Sequence, residues 1–450
     1  MLREEPQRKA SVRVQVSMRS TGAESSVVAM KSAERRGGIV QLDSSINHVT
    51  WEESLSTAKS FAISKGMVWA AYKAVKVNRG APGVDGQSLE DFGGDLGNNL
   101  YRIWNRLASG SYFPPPVMRV EIPKQDGGVR ALGIPTVGDR IAQAVVRRYL
   151  EAIVEPHFHP DSYGYRPGRC AHQAVGRARE RCWRFKWVLD MDIRAFFDNL
   201  DHRLVLRAVE RFTDCPWVLL YVGRWLSADV VLPDGNREKR LRGTPQGGVI
   251  SPLLANLFLH FALDQWLHEE CPSVPFERYA DDVIVHCRSE AQAHLVRSKI
   301  EARLRRCGLE LHPEKTRIVC CDVRHDRGRT ESFDFLGFGF GPRLARSRTG
   351  QIFLTFSPAI SRKAAKVVRR KVRPQWRLPT RTGMSLEDIA VMVNPVLRGW
   401  IHYYGRFRRS ALVSVFRNIN LSLRLWAMRK FKRIKRRPHA AMEWLKRIAE

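Results

Sequence analysis

The chain has 450 residues, of which 44% are hydrophobic and 27% are charged, so most of it is expected to fold, in two or three domains. The net charge of +31 indicates a polyanionic partner, and nucleic acid is favoured because bound phosphates release condensed counterions. The sequence lacks a run of ~20 apolar residues, which argues against a membrane protein. It also lacks an N-terminal apolar signal and a CxxC pair, which argues against a secreted disulfide scaffold and a zinc ribbon.

The first predicted elements follow a polar stretch. Residues 1–42 are Ser-rich, have no hydrophobic period and are predicted to form a flexible tail. The next predicted elements are two helices within 43–79, a turn cluster at 80–86, a hairpin of strands 117–123 and 129–135 around KQDGG, and a helix over 137–156.

The middle of the chain alternates between strands and helices. The predicted elements are a strand from 186, a helix over 201–212, a helix over 251–267 capped by Ser251, two strands with a bend at ADD over 276–287, a helix followed by a strand over 291–311, and an aromatic strand over 333–340. This order predicts an α+β fold in which an antiparallel sheet has helices on one face. After another strand at 350–356, the chain is predicted to be helical.

Most of the positive charge lies in the last quarter of the chain. Residues 343–450 contain 27 Lys and Arg against 4 Asp and Glu, a net charge of +23. Aromatic residues interleave this charge, as in GWIHYYGRFRR (399–409). A charge run is usually a solvated surface, but basic residues mixed with stacking side chains are typical of a nucleic-acid groove. We therefore predict that this region contacts nucleic acid.

Two adjacent carboxylates, Asp281 and Asp282, interrupt the otherwise apolar segment FERYADDVIV. A lone DD is typical of a turn. Divalent cations would cancel the repulsion between the two charges, and Asp192 is the natural third ligand if its strand is a neighbour. Oxygen ligands without His or Cys favour two Mg²⁺ ions, with Mn²⁺ as an alternative.

The segment RYADD (278–282) resembles the YxDD signature of reverse transcriptases. Further blocks occur in the order of that family: PGVDG, IPKQDGGVRALGIPTVGDRIAQ, SYGYRPGRCAHQAV, VLDMDIRAFFDNLDH, GTPQGGVISPLLANLFLH, GLELHPEKTRIV, FDFLGFGF and NPVLRGWIHYYGRF. From about residue 45 to 450, the sequence is similar to the reverse transcriptase/maturases encoded by group II introns.

This resemblance implies a right-hand polymerase fold with an all-helical, basic thumb. The implied divisions are a tail at 1–42, an N-terminal extension and fingers at 43–185 with fingers blocks at 80–175, a palm at 186–342, and a thumb or maturase domain at 343–450. No cluster of His, Asn and Cys follows, so we expect no endonuclease. A bacterial cytoplasmic protein that joins the nucleoid when it acts on DNA, without membrane contact, is also expected.

The resemblance assigns Asp192, Asp281 and Asp282 as the catalytic, metal-binding triad. The family has a bulky aromatic residue five positions after its first catalytic aspartate. Phe197 lies five positions after Asp192, whereas a small alanine lies five positions after Asp190. Asp192 is therefore the better ligand, and Asp190 is expected to support the strand or the ligands.

Five residues are implied at the incoming deoxynucleotide: Lys124, Arg130, Phe197, Gln246 and Lys315. Phe197 would be a steric gate against a 2′-hydroxyl group, with an ordinary core phenylalanine as the alternative. Lys124 and Arg130 would grip the triphosphate, and Lys315 would lie near it as a possible proton donor to pyrophosphate. Solvated surface charges are the alternative for all three cations.

Six arginines are implied at nucleic acid: Arg166, Arg169, Arg398, Arg406, Arg408 and Arg409. The first two either touch template phosphate or structure the fingers. FLGF (335–338) resembles the primer grip, although a plain buried strand is the alternative. Trp400, Tyr403 and Tyr404 belong to the maturase signature, but their i, i+3, i+4 spacing favours the core of a helical bundle over direct RNA contact.

The implied function is an RNA-directed DNA polymerase that copies RNA into DNA by two-metal nucleotidyl transfer. It would use an RNA template, a DNA primer or target and dNTPs, and would bind its own intron RNA to assist splicing and mobility. The alternatives are a maturase-only splicing cofactor, an RNA-dependent RNA polymerase, and a domesticated reverse transcriptase in phage defence. The oligomeric state is not indicated.

Overall fold

The computed structural model describes residues 59–123, 128–323, 332–347 and 349–449. The tail predicted at 1–42 and the first of the two helices predicted before residue 80 fall outside these residues. The described part combines helices with mainly antiparallel sheets. Within it, no helix is both long enough and apolar enough to cross a bilayer.

The N-terminal region is a layer of helices with one β-hairpin. Its elements are α1 (Lys65–Asn78), α2 (Leu89–Gly94), α3 (Leu96–Ala108), β1 (Val117–Pro123), β2 (Val129–Ile134), α4 (Val137–Val154) and α5 (Ala171–Cys182). Side-chain caps begin several of the helices; the hydroxyl of Thr136, for example, accepts a hydrogen bond from the amide of Asp139 at the start of α4. β1 and β2 pair antiparallel, which confirms the predicted hairpin.

The middle region contains a four-stranded sheet and the helices that cover it. Its elements are β3 (Trp187–Met191), α6 (Phe196–Asn199), α7 (His202–Glu210), α8 (Pro216–Leu226), β4 (Val230–Val231), β5 (Arg237–Glu238), α9 (Ser251–Leu259), α10 (Gln265–Glu270), β6 (Phe276–Tyr279), β7 (Asp282–Cys287), α11 (Glu290–Arg306) and β8 (Arg317–Cys320). Gly308, with a φ of +74°, follows the end of α11 as predicted.

The central sheet has the strand order β6-β7-β3-β8, and each neighbouring pair is antiparallel. Side chains alternate between its two faces. Leu189 and Val283 belong to the main core, which also contains residues of α4, α7, α8, α9 and α11. Val188 and Ile284 belong to a second core, which contains residues of α5 and of the aromatic strands that follow. The prediction of helices on one face is therefore wrong, because both faces are apolar and α5 covers the second.

The long apolar helix departs from its prediction at both ends. Ser251 does not cap it, because its hydroxyl accepts a hydrogen bond from Thr244 (2.8 Å) and Ile250 occupies the capping position. The helix is also not continuous, since His260–Asp264 forms a π-helical turn between α9 and α10. Such turns are frequent near functional sites.

The C-terminal region begins with three strands and continues as a helical bundle. Its elements are β9 (Phe333–Phe335), β10 (Phe338–Arg346), β11 (Ile352–Ile360), α12 (Arg362–Arg370), α13 (Leu386–Tyr404), α14 (Val413–Lys430) and α15 (Pro438–Ala449). The aromatic segment predicted as one strand is a hairpin, because Leu336 and Gly337 have φ of 51° and 79° and reverse the chain. β10 continues past residue 342, where the helical region was predicted to begin.

The helical bundle has a core of its own, which includes Trp426, Leu397 and Ile419. Trp400 and Tyr404 pack against this core, as their spacing predicts. Tyr403 does not: its ring lies 5.3 Å from that of Phe338 in β10, and Tyr403 packs against the second core, as Tyr404 also does. The prediction of a bundle core is therefore wrong for Tyr403, which joins the bundle to the strands.

Candidate active site

The three predicted metal-binding carboxylates meet at one end of the central sheet. β3 pairs with β7 so that Asp190 faces Ile284 and Met191 faces Val283. Continuing this register by one residue brings Asp192 opposite Asp282. Asp281 lies in the turn just before β7. Residues far apart in the sequence are thus brought together by strand pairing.

The turn that carries Asp281 has a constrained backbone. Ala280 adopts a left-handed conformation with a φ of +58°, which is unfavourable for a residue with a side chain. The segment before α5 pairs with the strand at this point: the amide of Tyr163 donates to the carbonyl of Arg278 (2.8 Å). A Cβ atom on Gly164 would lie 2.3 Å from the Ala280 nitrogen. Glycine is therefore required at position 164 for this close approach.

The carboxylates at this end of the sheet perturb one another. Desolvation, and then the charges of the three neighbouring aspartates, raise the pKa of Asp282 from its ordinary value of 3.8 to about 7. Desolvation and the charge of Asp192 also raise the pKa of Asp281. The pKa of Asp190 rises to about 6, mainly through desolvation, although Arg317 opposes the rise from 3.3 Å away. The cluster is therefore electrostatically unfavourable without a bound cation.

Lys315 contacts this cluster through Asp192. Its Nζ lies 3.0 Å from Asp192 Oδ2. The chain reaches this position because His312 donates its backbone amide to the carbonyl of Asp192 (2.7 Å), which holds the segment after α11 against the end of β3. Lys315 thus supplies positive charge next to the carboxylates, and its role at the triphosphate stays a prediction.

The donor set at this site suits magnesium, since divalent cations would relieve the crowding of three carboxylates, two of which, Asp281 and Asp282, have raised pKa values. Among the described residues, however, no three His, Cys, Asp or Glu side chains are already arranged to enclose a metal ion. Oδ2 of Asp192 instead contacts the ammonium group of Lys315. A metal ion bound through this oxygen would displace Lys315 from it.

The loop TPQGG lies beside the fingers-like hairpin of β1 and β2. The amide of Gly133, in β2, donates to the carbonyl of Gln246 (2.7 Å). Gly247 has a φ of +122°, and a Cβ atom there would lie 2.5 Å from the Gly133 oxygen. Arg130 is exposed on the same hairpin, and its charge partly opposes the rise in the pKa of Asp281. Lys124 lies outside the described residues.

Phe197 lies next to the same loop. Its carbonyl accepts a hydrogen bond from the amide of Thr244 (2.8 Å), and its half-buried ring lies 5.3 Å from the ring of Phe196. The chain enters this helical turn through Ala195, which has a φ of +45°. Phe197 also packs against the main core, so the steric-gate assignment and the alternative of a core phenylalanine both stay open.

The six arginines predicted to bind nucleic acid differ in how exposed their side chains are. Arg166 is buried; it pairs with Glu155 at 2.8 Å and donates to the carbonyls of His159 and Ser162, both at 2.7 Å. Of the two roles left open for Arg166, the structure therefore favours the structural one. Arg408 is half-buried and donates to the carbonyl of Leu344 (3.0 Å). The other four are exposed: Arg169, Arg398, Arg406 and Arg409.

Two family descriptions match this sequence. Residues 122–340 match a reverse transcriptase (RNA-dependent DNA polymerase), and residues 365–444 match the group II intron, maturase-specific domain. Protein YkfC of Escherichia coli K12 is 34% identical over 315 residues, which make up 60% of this chain and 77% of YkfC. The chain belongs to the group II intron reverse transcriptase family.

Two further relatives carry names that refer to introns. The group II intron-encoded protein LtrA of Lactococcus lactis subsp. cremoris is 32% identical over 212 residues, which cover 46% of this chain and 35% of LtrA. An uncharacterized 91 kDa protein in the cob intron of Schizosaccharomyces pombe is 25% identical over 462 residues, which cover 83% of this chain and 55% of that protein. The matched region of the chain thus spans about a third of LtrA and about half of the yeast protein.

Several residues of this group II intron reverse transcriptase support the site but were not predicted from its sequence. Gly164 allows the close approach to the carboxylate turn, and Tyr165 lies close enough to Asp281 for that charge to contribute to raising its pKa. Both lie within SYGYRPGR, a segment that the resemblance to the family identifies. The contact of this segment with the carboxylate turn cannot be predicted from the sequence, because no spacing pattern links the segment to a strand more than a hundred residues later.

Asp282→Asn should raise the melting temperature in EDTA, by roughly 2–4 °C at pH 8. In the native protein the pKa of Asp282 is about 7 against an ordinary 3.8, so its ionised form is disfavoured by folding. This penalty is absent below pH 4, grows as the pH rises and is complete above pH 7. Melting curves should therefore show a gap between variant and wild type that widens from pH 5 to pH 8. A constant gap would contradict the carboxylate crowding.

Gly164→Ala should reduce DNA synthesis on the order of 100-fold, because the new methyl group would displace the backbone of the Asp281 turn. Gly223→Ala is the matched control, since a Cβ atom there meets nothing within 4 Å and position 223 lies within α8. Primer extension measures both variants. A wild-type rate for Gly164→Ala would show that the turn tolerates displacement.

Proposed function

We propose that this protein is an RNA-directed DNA polymerase that copies RNA into DNA and also binds its own group II intron RNA, assisting splicing and mobility. The observation that carries the proposal is the meeting of Asp192, Asp281 and Asp282 at the paired ends of β3 and β7. The reverse transcriptase match over 122–340 supports the polymerase activity, and the maturase-specific match over 365–444 supports the role in splicing.

In this proposal the chain forms a right-hand polymerase. The N-terminal extension and fingers would cover 43–185, and the palm would begin at residue 186. Because β10 and β11 form one continuous hairpin up to Ile360, we move the start of the helical thumb from residue 343 to Arg362. The strands of 333–360, which include FLGF, would then seat the primer beside the palm.

Three carboxylates would hold the metal ions. Two Mg²⁺ ions, when bound, would activate the primer 3′-hydroxyl and stabilise the leaving pyrophosphate. The ions would be held by Asp192, Asp281 and Asp282. Asp190 would add a further negative charge beside these ligands. Lys315, released from Asp192, would have its ammonium group free near the triphosphate, where it can neutralise charge or donate a proton.

The fingers hairpin and the TPQGG loop would form the nucleotide pocket. Arg130, together with Lys124, would bind the triphosphate from the hairpin. Gln246 would line the pocket, and its carbonyl ties the loop to β2. Phe197 would lie under the sugar and exclude a 2′-hydroxyl group, which favours dNTPs over rNTPs.

The RNA would bind mainly through charge and shape. The C-terminal region carries a net charge of +23 over residues 343–450, and Arg398, Arg406 and Arg409 are exposed there. Arg169 would add a phosphate contact from the fingers. Arg408 keeps one side of its guanidinium on Leu344, so it would contribute less.

Asp281→Ala should abolish DNA synthesis and leave intron RNA affinity within about twofold of wild type, because this residue is proposed to hold metal and not RNA. Primer extension with Mg²⁺ and dNTPs measures the first effect, and filter binding measures the second. Asp214→Ala, at an exposed aspartate away from the site, should retain synthesis. Loss of RNA binding in step with synthesis would argue against the metal role. No synthesis by the wild type would instead favour a maturase-only cofactor.

Phe197→Ala should raise the kcat/KM ratio of ATP to dATP by about tenfold or more, because a smaller side chain leaves room for the 2′-hydroxyl group. Phe196→Leu is the control at the neighbouring position. Because Phe196 is buried in the core, this substitution is expected to leave sugar selectivity unchanged. Single-nucleotide addition gives both ratios. An unchanged ratio in Phe197→Ala would remove the steric-gate assignment.

A further inference from the structure

The side chain of Arg278 is completely buried behind the carboxylate turn. It lies on β6, two residues before Ala280. Its Nε and Nη2 donate to the two carboxylate oxygens of Asp264 (2.7 and 2.6 Å), and its Nη1 donates to Asn256 Oδ1 (2.8 Å) and to the carbonyl of Ala280 (3.1 Å). One guanidinium therefore joins an ion pair, an amide and the backbone of the turn.

The partners of Arg278 come from the apolar helix on the main-core side of the sheet. Asn256 lies on α9 and Asp264 ends the π-helical turn, and both are buried. Burying an ion pair rarely adds net stability, because the desolvation cost offsets the attraction. What a two-pronged Arg–carboxylate contact does provide is a fixed orientation. That orientation directs the remaining Nη1 donor at the turn.

Asn256 connects this arrangement to the second backbone segment at the site. While its Oδ1 accepts from Arg278, its Nδ2 donates to the carbonyl of Gly164 (2.6 Å). Gly164 is the residue that packs directly against the Ala280 nitrogen. The Asn256 side chain therefore holds in register the two segments whose contact shapes the turn.

We propose that Arg278 and Asn256 are positioning residues that set the geometry of the metal-binding turn. Ala280 adopts an unfavourable left-handed conformation, which persists only where the surroundings fix it. The Arg278 bond to its carbonyl and the Asn256 bond to Gly164 supply that constraint on both sides. Asp281 follows Ala280 directly, so a change in this backbone moves the carboxylate.

Magnesium makes the position of these carboxylates important. It demands nearly ideal octahedral geometry, more strictly than larger and more tolerant cations. A displaced turn should therefore impair Mg²⁺ use more than Mn²⁺ use, whereas simple loss of folded protein would impair both equally. This inference rests on the proposed polymerase function, and its test distinguishes failure of the positioning role from failure of that function.

The test is Asn256→Ala, which removes both amide bonds but leaves the Arg278–Asp264 ion pair intact. Asn99→Ala is the matched control, because Asn99 also donates an amide hydrogen bond to a backbone carbonyl, that of Phe92, in the N-terminal layer. With Mg²⁺, kcat for nucleotide addition by Asn256→Ala should fall about tenfold or more, with a clearly smaller fall with Mn²⁺. The Kd for primer–template should stay within about twofold of the wild-type value.

A second readout does not depend on activity. Electron paramagnetic resonance of Mn²⁺ titrated into the protein should show binding weakened several-fold in Asn256→Ala and unchanged in Asn99→Ala. Hydrogen exchange of the peptide amides of 276–285 should also become faster only in Asn256→Ala. If Asn256→Ala gives too little folded protein, Asn256→Ser, which keeps a hydroxyl group, replaces it in the same measurements.

The outcomes separate the two hypotheses. Equal losses with both metals that follow the folded fraction, or wild-type rates and exchange, would overturn the positioning role. A wild type without polymerase activity would overturn the proposed function, and Mn²⁺ binding together with hydrogen exchange would still decide whether Asn256 positions the turn.

Discussion

Repulsion between carboxylates gathered at the end of two paired strands is the constraint on which the site depends. Asp192, Asp281 and Asp282 cannot be moved apart, because the register of β3 with β7 brings their backbones together. Desolvation, and then the repulsion between the aspartates, raise the pKa of Asp282 to about 7, a cost that folding must carry when no cation is present. Such a cost is tolerated where it prepares a binding site, since the free energy of binding divalent cations then relieves it.

The surroundings of the site hold the turn from two sides. On one side, the amide of Tyr163, next to Gly164, donates to the carbonyl of Arg278 at the end of β6. On the other, the guanidinium of Arg278, held by Asn256 and Asp264 of the buried helical segment, donates to the carbonyl of Ala280. The second contact ends on the carbonyl of Ala280, the described residue of the turn with a positive φ, and the first places Gly164 against the nitrogen of Ala280. The position of Asp281 is therefore fixed by backbone contacts, which leaves its carboxylate free to bind a ligand.

The sequence predicted the elements better than the contacts between them. Strand alternation and the DD bend predicted the central sheet and the convergence of Asp192 with Asp282, because register follows from paired apolar faces. Asn256 and Asp264 were visible only as polar interruptions of an apolar helix, since periodicity does not reveal a partner on another strand. Likewise, the fate of Arg166 depended on Glu155, and no local pattern distinguishes a buried arginine from one that binds phosphate.

The aromatic motif near the C-terminus joins the bundle to the rest of the protein. The hydroxyl of Tyr403 donates to the carbonyl of Leu336 (2.9 Å), and Nε2 of His172 donates to the carbonyl of Tyr403 (2.9 Å). Helix α13 thus contacts the FLGF hairpin and α5 together. The aromatic side chains of α13 make this joint, and the basic residues Arg398, on α13, and Arg406, in the turn just after it, lie on the surface. The need for both aromatic packing and exposed positive charge explains why aromatic and basic residues alternate along this segment. A segment that only bound RNA would need the basic residues alone.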